Sequence, residues 1–564
     1  MAGTLLGLFA AGCGQSSRDT TAMPEPPAAE APRPPLIGVI NDKDCPLQFK
    51  DPAPAMQPGT DPDLSSQWHL KNDGTVAGGS GEDVRATAAW AQTRGEKVRV
   101  AVIDDGIDVT HEDLAPNVVP NASYNYRKST FGNAWPLPCY ERRDKDPEGD
   151  KHGTAVAGLI AARDFNGLGV AGVAPRADLV GYNAIYTNTS SDIADALIRD
   201  LALNGVYNNS WGSPDDRRLH TVDDSFIAAI QNGIMTGRNR KGAIYVFPGG
   251  NGGCNERQSG QRCDNSNYDG YTNKLGVITT CAVDADGLQP AYGERGANLL
   301  VCAPGSRGQT AARAGLDKPG LTTTQIQNDY RSDFIGTSGS TPLVSGVIAL
   351  MLSANPELTW RDVRLILAST ARQNDAVDLD TDPERRRGFG ITGLNFSHKY
   401  GFGVANAEAA VGAAQTWTSV GGSTTLTKCG PYERQVDLPI PDSGGVGSTP
   451  QPVASAISVP PCSIGKIEFV EVKFTARHPM SGDLQVQLRS PQNLVSELAD
   501  ARSCSSPPSG ACGDYDNFAF GSVRHMNEPV RTATLSDWTL QVADLRAAAT
   551  GTFERWSVTF YGRP

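Results

Sequence analysis

Three residues in the first two thirds of the chain have the side chains that acyl-transfer chemistry needs: Asp104, His152 and Ser338. A serine hydroxyl becomes a useful nucleophile when a nearby imidazole can take its proton, and a carboxylate must orient that imidazole. The order aspartate, histidine, serine is one of the chain orders in which such triads occur. The three residues therefore predict an orienting carboxylate, a general base and a nucleophile.

The segments around these residues favour the same interpretation. Asp104 follows the apolar run Val98–Ile103, and ligands of open α/β sheets bind at the carboxyl ends of such strands. Small residues after His152 allow a helix to begin there. Ser338 precedes Pro342, which we expect in a first helical turn, so that the positive end of the helix would favour negative charge near the serine.

A fourth candidate is Asn251, which lies in the sequence Gly-Gly-Asn-Gly-Gly after the predicted strand Gly242–Phe247. Its amide could donate a hydrogen bond to a tetrahedral oxyanion, and the loss of such a donor typically lowers turnover about 100- to 1000-fold. Each triad residue alone also fits an ordinary turn or loop. Together, in this order and in these contexts, they favour a catalytic site over coincidence.

Length and charge limit the classes of protein that fit. A chain of 564 residues exceeds what one hydrophobic core usually serves, so at least two domains are expected. The net charge of −12 argues against a nucleic-acid partner and suits a protein that attracts cationic substrates or hard cations.

Two parts of the chain differ in their pattern. Residues 60–415 alternate β-like runs with helical patterns, which predicts an α/β domain with a mostly parallel sheet flanked by helices. Residues 429–564 carry short alternating strands, which predict a small all-β sandwich or jelly roll, and residues 416–428 would link the two domains. The predicted helices are Asp192–Leu203, Asp223–Met235 and Val344–Ala354, and the predicted strands of the second domain are Ile467–Phe474, Leu484–Leu488, Trp538–Val542 and Trp556–Tyr561.

The N-terminus has the features of an exported protein. Residues 1–13 form a short apolar run ending in Ala-Ala-Gly-Cys, which is typical of an export signal and resembles a lipoprotein cleavage box with Cys13 as the acylated residue. Residues 14–59 are rich in proline and are predicted to be a disordered tether. We expect a protein of the cell envelope or the extracellular space that meets a membrane only through such a lipid.

Cysteine usage agrees with export. Eleven cysteines less Cys13 leave an even number, and none forms a Cys-x-x-Cys metal pair. Spacing does not fix the connectivity, and the alternative of buried free thiols would need a reducing compartment. The pairs that we expect from their closeness in sequence are Cys254–Cys263, Cys281–Cys302, Cys429–Cys462 and Cys504–Cys512, which leaves Cys45–Cys139.

Several motifs in both domains resemble those of the subtilase superfamily, and in particular its kexin and furin branch. In the first domain they are Asp104-Asp105-Gly106, Ser210-Trp211-Gly212-Ser213-Pro214-Asp215-Asp216, residues 241–247, residues 267–273 and residues 355–363. In the second domain residues 481–484 and 556–562 resemble the P domain of that branch. The resemblance implies a subtilisin-like fold and a serine endopeptidase that cuts protein or peptide substrates after Arg or Lys.

The same resemblance implies where a basic side chain would bind. Asp269 and Asp215 would lie in the primary pocket, and Asp105 and Asp150 would line the next subsite. Carboxylates are the groups that pair best with guanidinium and ammonium ions. The expected substrate-binding residues are Asp105, Asp150, Ser210, Trp211, Gly212, Asp215 and Asp269.

Calcium in a structural role is the cofactor that the resemblance implies. Calcium takes about six to eight oxygen ligands, and clustered carboxylates need a counter-cation. The alternative is a set of solvated surface acids. One implied site, beneath the primary pocket, uses Asp215, Asp264 and Glu294, and a second uses Asp61, Asp113 and the side chain of Asn166 with the backbone carbonyls of Arg163, Leu168 and Val170.

The chain also departs from that family. The stretch between Cys13 and Asp61 is short and proline-rich for the folded propeptide of kexins, so folding would rely on the second domain or on a dedicated chaperone. The rival hypothesis is a catalytically silent surface binder or adhesin on the same scaffold. It would require a broken triad or oxyanion donor, and the sequence retains all four residues.

Overall fold

The structure is a computed structural model. It describes residues 59–76, 81–127, 134–139, 150–253, 263–307, 319–375, 390–443, 451–504, 512–547 and 549–564. The predicted export signal, the lipid-attachment residue Cys13 and, apart from residue 59, the predicted tether lie outside this part of the chain.

Six parallel strands form the central sheet of the first domain, in the order β2-β1-β3-β4-β5-β6. Almost all of their residues are buried, as expected for strands covered on both faces. The strand order reverses between β1 and β3, which is where open α/β sheets place ligands. The strands are β1 (Arg99–Ile103), β2 (Asp178–Tyr182), β3 (Asn204–Asn209), β4 (Ile244–Pro248), β5 (Val277–Val283) and β6 (Leu299–Pro304).

Helices and a hairpin surround this sheet. The longest of the described helices, Thr337–Ala354, is apolar and long enough to cross a membrane, but 83% of it is buried inside the protein. The helices are α1 (Ala86–Ala89), α2 (His152–Ala161), α3 (Ala184–Thr187), α4 (Ser190–Ile198), α5 (Asp224–Arg240), α6 (Thr337–Ala354), α7 (Trp360–Thr370) and α8 (Ala407–Thr416), and the antiparallel hairpin is β7 (Leu321–Gln325) with β8 (Asp329–Phe334).

The second domain is a sandwich of two four-stranded antiparallel sheets, in the orders β10-β15-β12-β13 and β14-β11-β16-β9. Aromatic side chains such as Trp538 and Trp556 fill the space between the sheets. All four strands predicted here are present. The strands are β9 (Thr427–Ile440), β10 (Val453–Ser458), β11 (Lys466–Arg477), β12 (Leu484–Arg489), β13 (Val495–Ala499), β14 (Tyr515–Ser522), β15 (Asp537–Asp544) and β16 (Gly551–Arg563).

Three of the expected disulfides are confirmed, namely Cys281–Cys302, Cys429–Cys462 and Cys504–Cys512. Cys139 and Cys263 are also disulfide-bonded. Their expected partners, Cys45 and Cys254, lie outside the described residues, so these two pairings stay predictions. The bonds themselves agree with an oxidising compartment.

One buried ion pair joins the two domains. Arg361 of α7 has no exposed side-chain surface, and its guanidinium donates to both carboxylate oxygens of Glu468 in β11, over 2.8 and 2.6 Å. The neighbouring Asp362 accepts hydrogen bonds from Trp417 and Ser419 of the connecting segment. Two adjacent residues of α7 therefore fix both the connecting segment, through Asp362, and the second domain, through Arg361.

Candidate active site

Asp104 and His152 form a hydrogen-bonded pair at the carboxyl edge of the central sheet. Asp104 directly follows β1, His152 is the first residue of α2, and His152 Nδ1 lies 2.8 Å from Asp104 Oδ1. Because Nδ1 faces the carboxylate, Nε2 is the nitrogen left to accept a proton from a nucleophile. The structure thus brings together the side chains predicted to be the base and its orienting group.

Two opposing effects act on the proton affinity of His152. Burial lowers its pKa, but the charge of Asp104, the hydrogen bond to Asp104 and the charge of Asp105 outweigh burial and raise the pKa above the ordinary value of 6.5. A base of raised pKa takes a proton more readily than a free imidazole, and it is neutral only at higher pH.

Ser338 is the second residue of α6, which begins at Thr337. The expectation that Pro342 occupies the first turn of this helix is therefore wrong, because the helix begins earlier and Pro342 lies in the second turn. Proline has no N–H for the carbonyl oxygen four residues before it, which belongs to Ser338. Ser210 Oγ donates to that oxygen instead over 3.1 Å, and Ser338 Oγ donates to the Ser210 carbonyl oxygen over 3.3 Å.

The orientation of the Asn251 amide is set by the residue before the serine. Asn251 Oδ1 accepts hydrogen bonds from the N–H and the Oγ1–H of Thr337, each over 2.9 Å. The Nδ2 group of this exposed side chain remains as the donor. Gly336 lies beneath it with a φ of 97°, where an added Cβ would come within 3.2 Å of Asn251 Oδ1. The site therefore presents an amide donor close to Ser338.

An acidic pocket of about 80 Å³ opens beside Ser338 and Asn251. Asp269 in its wall accepts hydrogen bonds from the N–H and Oγ–H of Ser213, each over 2.9 Å. A Cβ at Gly212 would lie 2.7 Å from Asp269 Oδ2, so a larger residue there would crowd the carboxylate. The predicted pocket residues that line it are Ser210, Trp211, Gly212, Asp215 and Asp269.

Three carboxylates cluster at the base of this pocket. Asp264 Oδ2 accepts the N–H of Arg217 over 2.7 Å, and Glu294 Oε1 accepts the N–H of Gly252 over 2.9 Å. Burial, followed by the charge of Asp215, raises the pKa of Asp264 to about 7. Burial and the charges of Asp264 and Asp215 raise the pKa of Glu294 well above its usual value. Such a concentration of negative charge favours a counter-cation, but the described side chains of this cluster do not have the arrangement of metal ligands.

The second predicted calcium set is also brought together, but its oxygens already have partners. Asp61 accepts the N–H groups of Phe165 and Asn166, and Asn166 Nδ2 donates to Asp113 over 2.6 Å. In the part of the chain that the structure describes, no group of three or more His, Cys, Asp or Glu side chains has the arrangement of metal ligands. The remaining predicted ligands contribute N–H donors to this cluster: Val170 to Asp113 Oδ2, Leu168 to Asn166 Oδ1 and Arg163 to the Asp113 carbonyl.

Asp105 and Asp150, predicted to line the next subsite, lie beside the base. Asp105 accepts the N–H of His152 over 3.2 Å and that of Gly153 over 2.8 Å, and thereby caps α2. Burial, followed by the charge of Asp104, raises its pKa. Asp150 is buried, and its carboxylate accepts the N–H of Cys139 over 3.2 Å.

Comparison with known proteins identifies the family. A model of the subtilase family matches residues 95–403, which is more than half of the chain, and a model of the proprotein convertase P-domain matches residues 467–560. The chain belongs to the subtilase family. The resemblance inferred from the motifs and the predicted fold class are thereby confirmed, with a P domain as the second domain.

Individual relatives agree with this assignment. The chain is 32% identical to human proprotein convertase subtilisin/kexin type 7 over 524 residues, which are 89% of this chain and 60% of the relative. It is 31% identical to kexin of Saccharomyces cerevisiae, with 89% and 56% covered. This subtilase therefore spans about 60% of the length of the curated relatives that it matches.

A solved structure shares both domains. The crystal structure of the serine protease of Aeromonas sobria superposes with a TM-score of 0.72 at 25% identity, over 90% of this chain and 96% of that one. The same protease has also been crystallised with a chaperone.

Two contributions to the site were missed by the sequence reasoning. Thr337 orients Asn251, and its only signal was its place directly before the candidate serine. Arg502 of the P domain donates to the carbonyl oxygen of Arg217 beneath the acidic pocket. The two residues are 285 positions apart in sequence, so no local sequence pattern predicts their contact.

Proposed function

We propose that this subtilase is a serine endopeptidase that cuts protein or peptide substrates after Arg or Lys. The observation that carries the proposal is that Ser338, Asn251, Asp215 and Asp269 line one pocket. A basic side chain bound to the two carboxylates would leave its own carbonyl carbon beside the serine and the amide donor.

The proposed reaction begins with attack by Ser338 Oγ on the carbonyl carbon of the scissile bond. The hydroxyl proton passes to His152 Nε2, and Asp104 stabilises the imidazolium through Nδ1. Asn251 Nδ2 donates to the oxyanion as the carbonyl becomes tetrahedral. The imidazolium then returns the proton to the leaving amine, and a water molecule, activated by the same base, hydrolyses the acyl-enzyme.

The resting contact of Ser338 is consistent with this cycle. Its hydroxyl donates to the Ser210 carbonyl oxygen over 3.3 Å, a long hydrogen bond that is easily exchanged for one to the base. Catalytic hydrogen bonds are often formed only when substrate is bound.

Substrate preference is proposed to come from carboxylates in two places. Asp269 and Asp215 would meet the cation of the residue before the cut, and a planar guanidinium would suit their paired oxygens. Asp105 and Asp150 would favour a second basic residue one position earlier. The hydrogen bonds that Asp269 accepts from Ser213 fix the direction of its carboxylate.

Calcium is proposed as a structural ion of this enzyme. Asp215, Asp264 and Glu294 fit one ion best, because Asp264 and Glu294 are buried beside Asp215 and the charge of Asp215 raises the pKa of both. Asp61, Asp113 and Asn166, with the carbonyls of Arg163, Leu168 and Val170, are proposed for a second. Bound calcium would neutralise the charge beneath the pocket and stabilise its wall.

Location and partners follow the same reasoning. The disulfides support an exported enzyme of the cell envelope or extracellular space, and acylation of Cys13 would provide a lipid anchor. A chaperone partner is proposed because the structurally similar Aeromonas protease has been crystallised with one.

The deciding experiment is a cleavage profile on a peptide library, with Ser338→Ala as the matched control. We expect cuts after Arg and Lys with the wild type and none with Ser338→Ala. A serine-reactive phosphonate should label the wild type only. Random residues before the cut would refute the pocket assignment, and absence of both labelling and cleavage in the folded protein would favour the silent binder.

A further inference from the structure

We infer that the P domain holds one wall of the acidic pocket, and that Arg502 and the Cys504–Cys512 disulfide are positioning groups for the cleavage of basic substrates. The wall consists of residues 215–220, here called the pocket loop. The part of the P domain that contacts it consists of residues 500–504 and 512–513, here called the clamp. The inference rests on the proposed function and adds to it a role for the second domain.

The pocket loop and the clamp exchange hydrogen bonds in both directions. Arg502 Nε donates to the Arg217 carbonyl oxygen over 2.6 Å, and Arg217 Nη1 donates to the Ser503 carbonyl oxygen over 3.1 Å. Leu219 N–H donates to the Cys512 carbonyl oxygen over 2.9 Å. Cys504 Sγ lies 3.4 Å from the Arg217 carbonyl oxygen. The disulfide thus joins the two segments of the clamp that make these contacts.

Arg502 also reaches the opposite wall of the pocket. Its guanidinium lies 3.8 Å from the ring centre of Tyr268, the residue directly before Asp269. Tyr268 Oη accepts the N–H of Asp500 over 2.9 Å. The Arg502 side chain is fully buried, although arginine is rarely buried without a specific partner. Its partners outside the P domain, the Arg217 carbonyl oxygen and the Tyr268 ring, belong to the two pocket walls.

The contacts of the pocket loop transmit this support to the acidic groups. Arg217, whose carbonyl the clamp holds, donates its N–H to Asp264 over 2.7 Å, and Asp215 lies two residues earlier. His220 N–H donates to the Tyr268 carbonyl oxygen over 2.8 Å, which ties the two walls to each other. A displacement of the Arg217 carbonyl would therefore move the carboxylates that recognise the substrate, while Asp104 and His152 would keep their own contacts.

The same domain provides a matched control. The Cys429–Cys462 disulfide begins in β9, where Cys429 pairs with Phe560 of β16 inside the P domain. Removal of Cys429–Cys462 therefore measures how the loss of a disulfide away from the pocket affects the stability of the P domain. The comparison with the clamp disulfide isolates the effect on the pocket.

The test compares Cys504→Ser/Cys512→Ser and Arg502→Met with Cys429→Ser/Cys462→Ser in the full chain. Fluorogenic peptides with Arg or Met before the cut give KM and kcat, and labelling by diisopropyl fluorophosphate reports the triad alone. We expect the clamp variants to raise KM for the Arg peptide about tenfold, with kcat and labelling nearly unchanged. The control should change KM little at temperatures below its unfolding midpoint, and Arg502→Lys should restore part of the affinity.

The inference would be overturned if the two disulfide variants changed KM for the Arg peptide equally. It would also be overturned if kcat and labelling fell in the clamp variants to the same extent as KM rose. If the clamp variants do not fold, Arg217→Ala tests the same contact from the other side, because it removes only the hydrogen bond to Ser503. An unchanged KM in that variant would then count against the clamp. If the wild type cut the Arg and Met peptides equally well, the proposed preference for basic residues would be refuted instead. The KM values of the variants could then still be compared on the peptide that the wild type cuts.

Discussion

Ser210 Oγ donates a hydrogen bond to the carbonyl oxygen of Ser338 over 3.1 Å, at the position where Pro342 leaves the helix without a donor. The contact continues inward, because Asn208 Nδ2 donates to Ser210 Oγ and Ser345 Oγ donates to Asn208 Oδ1. The end of β3 and the first turns of α6 are therefore held by one buried polar chain, which sets the backbone position of Ser338, the proposed nucleophile.

The first prediction concerns this chain of hydrogen bonds. Ser210→Ala removes the donor to the Ser338 carbonyl and should lower kcat about tenfold, with a smaller change in KM, because the position of the nucleophile changes more than the pocket. Steady-state kinetics on an Arg peptide check it. Ser369→Ala removes a hydroxyl that bonds within α7, far from the site, and should leave kcat unaltered. An unaltered kcat in Ser210→Ala would contradict the positioning role.

The second prediction separates Asn251, the proposed oxyanion donor, from Thr337, the residue that orients it. Asn251→Ala should lower kcat about 100- to 1000-fold with little change in KM, because the lost contact forms mainly in the transition state. Thr337→Val keeps the N–H to Asn251 Oδ1 but loses the hydroxyl, so we expect a fall in kcat of only about tenfold. Equal losses in both variants would mean that Thr337 acts otherwise than through Asn251.

Sequence reasoning predicted the parts of the site that parallel strands bring together. Asp104 follows β1, and Ser210 and Asn251 follow β3 and β4, so the common direction of the strands places them at one edge. It failed where local backbone geometry overrides periodicity. The predicted helix Asp192–Leu203 ends at Ile198, because Arg199 is extended and Asp200 has a φ of 55°, although apolar residues continue at the helical spacing.

The contacts between the domains could not be predicted for a different reason. Arg361 meets Glu468 across 107 positions, and Arg502 meets Arg217 across 285. Each segment has an ordinary local pattern, and only the docked arrangement gives these charges their partners. Local sequence motifs therefore predict the candidate site residues, whereas the residues that position them are determined by long-range packing.

The third prediction concerns pH. His152 must be neutral to act as a base, and Asp104 and Asp105 raise its pKa against the effect of burial. The acid limb of the kcat/KM profile should therefore have its midpoint above 6.5, the ordinary histidine value. Asp105→Asn removes one of the negative charges and should move the midpoint to lower pH. A wild-type midpoint below 6.5, or an upward shift in Asp105→Asn, would contradict this account.

The fourth prediction links calcium to pH. Burial raises the folded-state pKa of Asp264 from 3.8 to about 7, so the metal-free folded protein binds more protons than the unfolded chain in that range, and its stability falls as the pH rises through it. Calcium bound at the proposed site would replace those protons. The rise in unfolding midpoint on adding calcium should therefore be larger at pH 8 than at pH 5.

Calorimetry with and without a chelator measures this difference, and activity should fall together with the midpoint. Glu294→Gln, which removes one carboxylate of the set, should reduce the calcium-dependent rise. A melting curve that chelation leaves unchanged at pH 8 would refute calcium binding at this site.

The fifth prediction concerns the buried pair between the domains. Glu468→Gln leaves the buried Arg361 without its carboxylate partner and should destabilise the protein by about 3–5 kcal/mol. Arg361→Met should cost less, because Arg563 Nη1 still lies 3.1 Å from Glu468 Oε1. The double variant should lose less than the sum of the two. Chemical denaturation of the full chain measures all three. Lys241→Met, which breaks an ion pair with the mostly exposed Glu357, is the matched surface control and should leave the denaturation midpoint close to that of the wild type. If the losses of stability in the two single variants added up in the double variant, Arg361 and Glu468 would stabilise the junction independently of each other. Arg361 would then act through the connecting segment, and Glu468 through Arg563.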